Sequence, residues 1–187
     1  PPAEIVSGEI IYDGRDLLRI SQEEHRALNG KKIAMIFQDP LGHLNPVYTV
    51  GWQIIEMMTA HGRPRDLARQ RALELIARVG IPEPEQAMRK YPHQFSGGQR
   101  QRLMIAMALM LKPDVLIADE PTTALDVTVQ AEVLALLKEL QAETGMALVL
   151  ITHDLGVVAE IADRVVVMNG GEIVESGTVR EVYRNPR

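Results

Sequence analysis

Residues 95–102 of the chain read FSGGQRQR, and residues 115–120 read VLIADE. The first stretch is a small glycine-rich turn that opens a long helical pattern. Backbone N–H groups at the start of a helix, with a serine hydroxyl and little side-chain bulk around them, form a seat for a phosphate group. The second stretch is an apolar run ending in two carboxylates, which is typical of a buried parallel strand whose carboxyl end faces a ligand crevice. Together they predict nucleoside triphosphate chemistry.

Strands alternate with helices on both sides of these stretches, with a mostly helical segment before them. Strands are predicted at residues 8–14, 33–37, 115–119, 147–151, 164–168 and 172–175, and helices at 54–61, 64–79, 99–112 and 127–143. Continuous apolar strands joined through helices form parallel sheets with helices on both faces. The sequence therefore predicts an α/β fold with a mostly parallel sheet, short antiparallel strands near its end and a helical insert subdomain over about 41–112.

The composition limits the classes of function. Of 187 residues, 46% are hydrophobic and 24% charged, which is ordinary for a globular protein with one sizeable core. The formal net charge of −5 gives no overall attraction to nucleic acid, and no such partner is expected. The absence of cysteine excludes a disulfide scaffold and a thiolate metal site in this stretch. The longest apolar run, 103–111, is shorter than the roughly 20 residues of a membrane-spanning helix.

Three predicted strands end in side chains that could take part in catalysis. Asp119 and Glu120 end one strand, and His153 follows another, beside these acids at the carboxyl edge of the predicted sheet. Gln38 has the same position on a third strand. In nucleotide hydrolases an aspartate in this place holds Mg²⁺ and a neighbouring glutamate polarises the attacking water, while a neutral imidazole can contact the γ-phosphate or the water. Each residue also has a simpler interpretation: solvated acids before the turn at Pro121, a core histidine, and a polar strand end.

The phosphate seat has a simpler interpretation as well. Ser96, Gly97 and Gly98 could form an ordinary loop and helix cap, because the tripeptide is common in turns. Asp126 begins the helix predicted after residues 121–125, and N-capping by itself explains an aspartate there. A role at a subunit junction does not exclude that capping function.

In order and spacing, these motifs resemble those of the ATP-binding-cassette ATPases. Residues 96–100 look like the family signature, 115–120 like the Walker B strand with its catalytic glutamate, and 121–126 like the D-loop. The resemblance implies a P-loop NTPase-like fold that binds ATP and Mg²⁺ and hydrolyses ATP. The implied roles, residue by residue, are catalysis by Glu120, His153 and Gln38, metal binding by Asp119 and Gln38, and binding of the opposite protomer's ATP by Ser96, Gly97, Gly98, Gln99 and Asp126.

Further stretches are similar to the oligopeptide, dipeptide and nickel importers of this family. They are FQDP at 37–40, LNP at 44–46, YPHQF at 91–95 and ADEPTTALDVT at 118–128. The resemblance implies a peripheral subunit on the cytoplasmic face of the inner membrane, paired with a second ATPase domain and with integral membrane permeases. A periplasmic solute-binding protein would be an indirect partner. Oligopeptides or dipeptides are the expected solutes, with glutathione or nickel as the alternative within this branch.

Two other classes of protein remain open at this point. One is a soluble cassette ATPase of translation or DNA repair, which would have no need for the importer-like stretches. The other is a non-catalytic interaction domain, because the chain contains no G-x-x-x-x-G-K-[ST] phosphate loop. Gly30-Lys31-Lys32 is the nearest match, and it lacks the upstream glycine and the hydroxyl residue. We therefore expect residues 1–187 to be part of a nucleotide-binding domain whose Walker A segment lies upstream, and to be inactive alone.

Overall fold

The fold is seen in a computed structural model, which describes residues 5–38, 40–123 and 125–184. Asp39 and Ala124, which belong to the importer-like motifs, lie outside the described residues. The chain begins with an antiparallel hairpin of β1 (Ile11–Tyr12) and β2 (Arg15–Asp16). A 3-10 turn at Leu17–Arg19 and the helix α1 (Gln22–Leu28) follow.

A three-stranded parallel sheet lies at the centre of the fold. Its strands are β3 (Ile33–Ile36), β4 (Val115–Asp119) and β5 (Ala147–Ile151), hydrogen-bonded in that order. The register aligns the three carboxyl ends, because Ile36 lies beside Ala118 and Asp119 lies beside Ile151. The residues that follow each strand therefore meet along one edge of the sheet, as the sequence predicts.

Helices occupy the connection between β3 and β4. They are α2 (Pro40–His43), α3 (Val50–Thr59), α4 (Arg65–Arg78), α5 (Pro84–Ala87), a 3-10 turn at Pro92–Gln94 and α6 (Gly97–Ala108). The helix α7 (Val127–Thr144) follows β4, and the helix α8 (Leu155–Ile161) follows β5. The antiparallel pair β6 (Arg164–Asn169) and β7 (Glu172–Thr178) and the helix α9 (Val179–Arg184) complete the described chain.

The sheet is covered on one face. Ala34, Ile36 and Leu116 belong to a buried core that also contains side chains of α6 and α7. On the opposite face Met35, Val149 and Ile151 are 37–48% exposed. The predicted α/β fold with a parallel sheet and flanking helices is confirmed, but within the described residues the helices of the buried core pack on one face of the sheet and leave the other exposed. Apolar residues on both sides of a strand indicate that both faces can be buried, but they do not identify the element that buries the second face.

Local differences from the predicted elements have simple causes. The strand predicted at 8–14 is instead the first half of the β1–β2 hairpin, which turns at Asp13 and Gly14, both with positive φ. The helix predicted at 54–61 begins at Val50, because Thr49 caps it by accepting from the N–H of Trp52. The helix predicted at 99–112 begins two residues earlier and ends at Ala108.

Candidate active site

The carboxyl edge of the sheet brings Gln38, Glu120 and His153 together. The Nε2 of Gln38 donates to Glu120 Oε2 at 2.7 Å, and the Nδ1 of His153 lies 3.1 Å from Glu120 Oε1. Thr123 Oγ1 donates to the same Oε2 at 2.8 Å. The expected convergence of three strand ends is thus observed, and Glu120 is its centre.

The backbone of Glu120 has an unusual conformation. Its φ is +43°, in the left-handed region that non-glycine residues seldom enter. Its N–H donates to the carbonyl oxygen of Ile151 at 2.9 Å, and its own carbonyl oxygen accepts from the N–H of Thr123 at 3.3 Å. These bonds hold the turn after β4 against the end of β5. Strained backbone conformations of this kind concentrate at active sites, where surrounding structure keeps them in place.

The environment of Glu120 favours its ionised form. Its pKa is lowered, first by the hydrogen bond from the Thr123 hydroxyl and then by the interaction with His153. Donors directed at a carboxylate stabilise the negative charge. The side chain of Glu120 is 23% exposed and that of His153 is 74% exposed. Glu120 is thus a partly shielded carboxylate, ionised at neutral pH, next to an imidazole that remains open to a ligand.

Asp119 occupies the last position of β4, one residue before Glu120. By strand alternation it lies on the same face of the sheet as Ile117. Among the described residues, no group of three His, Cys, Asp or Glu side chains could hold a metal ion unaided. A single carboxylate at this edge of the sheet, with the Gln38 amide oxygen as a second oxygen donor, fits the chemistry of Mg²⁺, which usually keeps several waters and binds through one or two carboxylates together with substrate phosphates.

The predicted phosphate seat lies at the start of α6. Ser96 is the N-cap residue: its Oγ accepts from the N–H of Gln99 at 3.3 Å, while Gln99 Oε1 accepts from the N–H of Ser96 at 3.0 Å. Gly97 and Gly98 occupy the first two helical positions, whose N–H groups have no acceptor within a helix. The capping interpretation of Ser96 is therefore confirmed, and it leaves two glycine N–H groups at the positive end of the helix.

The start of α7 packs against this seat. A Cβ atom on Gly98 would lie 2.5 Å from Val129 Cγ1, and one on Gly97 would lie 3.7 Å from Leu125 Cδ2. Asp126 caps α7 by accepting from the N–H of Val129 at 3.0 Å. The predicted ATP-binding residues of the signature and the D-loop thus form a second cluster, which residues 120–126 connect to the Glu120 cluster.

Two features of the site are absent from the sequence-based prediction. The first is the hydroxyl of Thr123. In the sequence, this contact could be anticipated only from the presence of a threonine three residues after Glu120. The other is Asp154, which caps α8 and accepts from Gln130 Nε2 at 3.1 Å, so that α7 is linked to the residue after His153. The pKa of Asp154 is lowered, first by the N–H of Val157 and then by Gln130.

The family model described as "ABC transporter" matches residues 3–123. The chain belongs to the ABC transporter family. Over its whole length the chain is 53% identical to the oligopeptide transport ATP-binding protein OppD of Bacillus subtilis (strain 168), and it covers 52% of that protein. It is 52% identical to the dipeptide transport ATP-binding protein DppD of Escherichia coli (strain K12) and covers 57% of it. The chain therefore spans about half the length of these curated relatives.

Solved structures of other ABC proteins have the same fold as this chain. It matches cbiO1 from Clostridium perfringens, part of the ABC transporter complex cbiONQ, with a TM-score of 0.84 and 33% identity, over 96% of this chain and 69% of the other. It matches the ATP-binding cassette MJ0796, in a dimeric post-hydrolysis state bound to ADP and Pi, with a TM-score of 0.80 and 29% identity, over 94% and 75% of the two chains. In the described part of the cassette, no helix combines the length and apolar character needed to cross a membrane.

Proposed function

We propose that this cassette carries the hydrolytic residues of an ATPase subunit that drives peptide import. The observation that carries the proposal is the contact of Gln38 and His153 with Glu120 at the carboxyl edge of the parallel sheet. The names of the oligopeptide and dipeptide transport relatives support peptides as the solute class. Because the 187 residues contain no G-x-x-x-x-G-K-[ST] loop, hydrolysis is proposed for the complete protein, with the cassette inactive alone.

Glu120 acts as the general base in this proposal. Its lowered pKa keeps it ionised at neutral pH, so it can accept a proton from a water molecule. The water oxygen bonds to the γ-phosphorus as the bond to the bridging oxygen breaks, which gives ADP and phosphate. The exposed imidazole of His153 contacts the γ-phosphate or the attacking water, and Gln38 connects the nucleotide with the helical segment that follows β3.

Asp119 and the amide oxygen of Gln38 are the groups proposed to hold Mg²⁺. A Mg²⁺ ion held by these residues would supply positive charge that stabilises the negative charge of the phosphate groups. The amide nitrogen of Gln38 contacts Glu120, and its carbonyl oxygen would be the atom available to the metal. A rotation of this one side chain would therefore couple metal binding to the state of the general base.

A second ATPase domain is the proposed partner at the signature. The N–H groups of Gly97 and Gly98 at the start of the 12-residue α6 offer an anion seat for that domain's ATP, with Ser96 and Gln99 fixing the turn. Asp126 lies beside the seat at the start of α7. The dimeric state of MJ0796, a cassette of similar fold, supports an arrangement with two domains.

The loop before α3, together with Trp52 in the first turn of α3, is the proposed docking surface for a membrane permease, on the cytoplasmic face of the membrane. Tyr48 and Trp52 stack with ring centroids 4.1 Å apart, and Val47 beside them is 70% exposed. Buried Gln53 fixes this loop, because its side chain bonds to the backbone of Asn45 and Tyr48. An exposed aromatic and aliphatic surface on a fixed loop suits a short helix from another protein.

The test of the hydrolytic role is Glu120→Gln in the complete protein. The amide keeps the shape of the side chain but takes no proton from water, so ATP binding should persist while hydrolysis slows by about 10²–10⁴-fold. Glu160→Gln, at an exposed glutamate of α8, is the matched control and should hydrolyse ATP at the wild-type rate. An unchanged rate in Glu120→Gln would assign activation of the water to another residue.

A further inference from the structure

Glu120 receives hydrogen bonds from two kinds of partner. Gln38 follows β3 and His153 follows β5, so both belong to other strands of the sheet. Thr123 belongs to the same turn as Glu120, and the turn is closed by the backbone bond from Thr123 N–H to the Glu120 carbonyl at 3.3 Å. The Thr123 hydroxyl reaches Glu120 Oε2 at 2.8 Å from within that turn. Of the three partners, Thr123 is the one whose position is tied to Glu120 by the backbone.

The proposed function gives Gln38 and His153 other tasks once nucleotide is bound. The amide of Gln38 would serve the metal, and the imidazole of His153 would serve the γ-phosphate or the water. Each side chain that turns toward the nucleotide leaves an oxygen of Glu120 with one donor fewer. A glutamate with three side-chain torsions then samples several rotamers, few of which direct an oxygen at the attacking water.

We propose that Thr123 is a positioning residue for the general base. Its hydroxyl holds Glu120 Oε2 throughout the cycle and leaves Oε1, the oxygen released by His153, free to accept the proton of the water. This inference rests on the proposed function, because it requires Glu120 to act as the base. Thr123 touches neither ATP nor metal in this account, and it acts through Glu120 alone.

The chemistry of the side chain makes the role specific. The bond to Glu120 uses the hydroxyl of Thr123 and not its methyl group. Thr123→Val has nearly the same shape without the hydroxyl, and Thr123→Ser keeps the hydroxyl without the methyl group. Since Thr123 is exposed, neither change alters the buried core.

The experiment measures kcat and KM for ATP in the complete protein. Thr123→Val should lower kcat by about tenfold with an unchanged KM, and Thr123→Ser should stay within about twofold of wild type. The matched control is Thr59→Val in α3, which removes a 2.9 Å bond from Thr59 Oγ1 to Glu56 Oε2 with the same three-residue spacing. This control should leave both constants unchanged, and melting curves of all three variants establish that they are folded.

The double variant of Thr123→Val with Glu120→Gln distinguishes the positioning role of Thr123 from the general-base role of Glu120. If Thr123 acts through the base, Thr123→Val should reduce kcat no further once the base is gone. A full kcat in Thr123→Val, a raised KM with unchanged kcat, a failed rescue by serine, or an additional loss in the Glu120→Gln background would each overturn the positioning role. Wild-type hydrolysis in Glu120→Gln alone would instead overturn the proposed function of Glu120.

Discussion

At the scale of single residues, Asp114 shows how charge fixes the amino end of the central sheet. It precedes β4 and accepts from Tyr12 Oη at 2.5 Å and from Lys32 Nζ at 2.9 Å. Both bonds lower the pKa of Asp114; the hydrogen bond from Tyr12 has the larger effect and the one from Lys32 comes second. They also raise the pKa values of Tyr12 and Lys32, mainly through Asp114. One carboxylate thereby ties β1 and the residue before β3 to the start of β4.

Asp114→Asn should lower the melting temperature of the complete protein at pH 7. Because the folded-state pKa of Asp114 lies below its ordinary value of 3.8, its charged form stabilises the fold above that value, and this contribution is lost as the pH falls through the lowered pKa. The difference between wild type and variant should therefore shrink below about pH 4. Asp163→Asn, at an exposed aspartate, is the control. A difference that stays constant from pH 7 to pH 3 would contradict this role.

The residues of the site differ in how far the sequence predicts them. Gln38, Glu120 and His153 are predicted to meet because each follows a strand of a parallel sheet, and the register brings those strand ends together. Thr123 is not predicted, because its contact depends on the left-handed backbone of Glu120 and on one side-chain rotamer. The exposed face with Met35 and Val149 is not predicted either, because an apolar strand carries no information on what covers it.

At the scale of elements, the packing of α6 on α7 is the contact that joins the signature to the D-loop. Val129 Cγ1 occupies the space that a Cβ atom on Gly98 would need, at 2.5 Å, whereas a Cβ atom on Gly97 would have an ordinary neighbour at 3.7 Å. The second glycine is thus required by packing within this chain, whatever ligand its N–H group binds. A shift of α7 would move the phosphate seat with it.

Gly98→Ala should destabilise the complete protein by about 1–3 kcal/mol, because the added methyl group overpacks a contact with the stiff side chain of Val129. Val129→Ala creates the missing space, so the double variant should be more stable than the sum of the two single changes predicts. Gly97→Ala is the matched control and should melt close to wild type. Strictly additive effects in the double variant, measured by thermal unfolding, would show that Val129 is not the obstacle.

At the scale of the whole molecule, the loop before α3 should separate transport from hydrolysis. Trp52→Glu places a charge on the proposed docking surface, where Trp52 is 40% exposed, and should abolish solute uptake in the assembled transporter while basal ATP hydrolysis persists. Leu67→Glu, at a 49% exposed position of α4 away from this loop, is the control and should transport normally. Parallel loss of uptake and hydrolysis in Trp52→Glu would make the loop a structural element of the cassette.

In the proposed function one chain carries three sites: the Glu120 cluster for hydrolysis, the glycine N–H groups of α6 for a second domain, and a docking surface for a permease. β4 ends at Asp119 beside Glu120, the proposed general base, and the start of α7 packs against Gly98 of the predicted phosphate seat. Gln38 contacts Glu120 at that edge and precedes the helical segment in the chain.

The most direct measurement is the ATP hydrolysis rate of the complete protein, reconstituted with the proposed permeases and solute-binding protein, with and without oligopeptide. We predict that peptide raises the rate of the wild-type importer, and that Glu120→Gln keeps a low rate under both conditions because the water is no longer activated. Stimulation by nickel or glutathione in place of peptide would contradict the solute class. Undiminished, peptide-stimulated hydrolysis in Glu120→Gln would contradict the account of the active site.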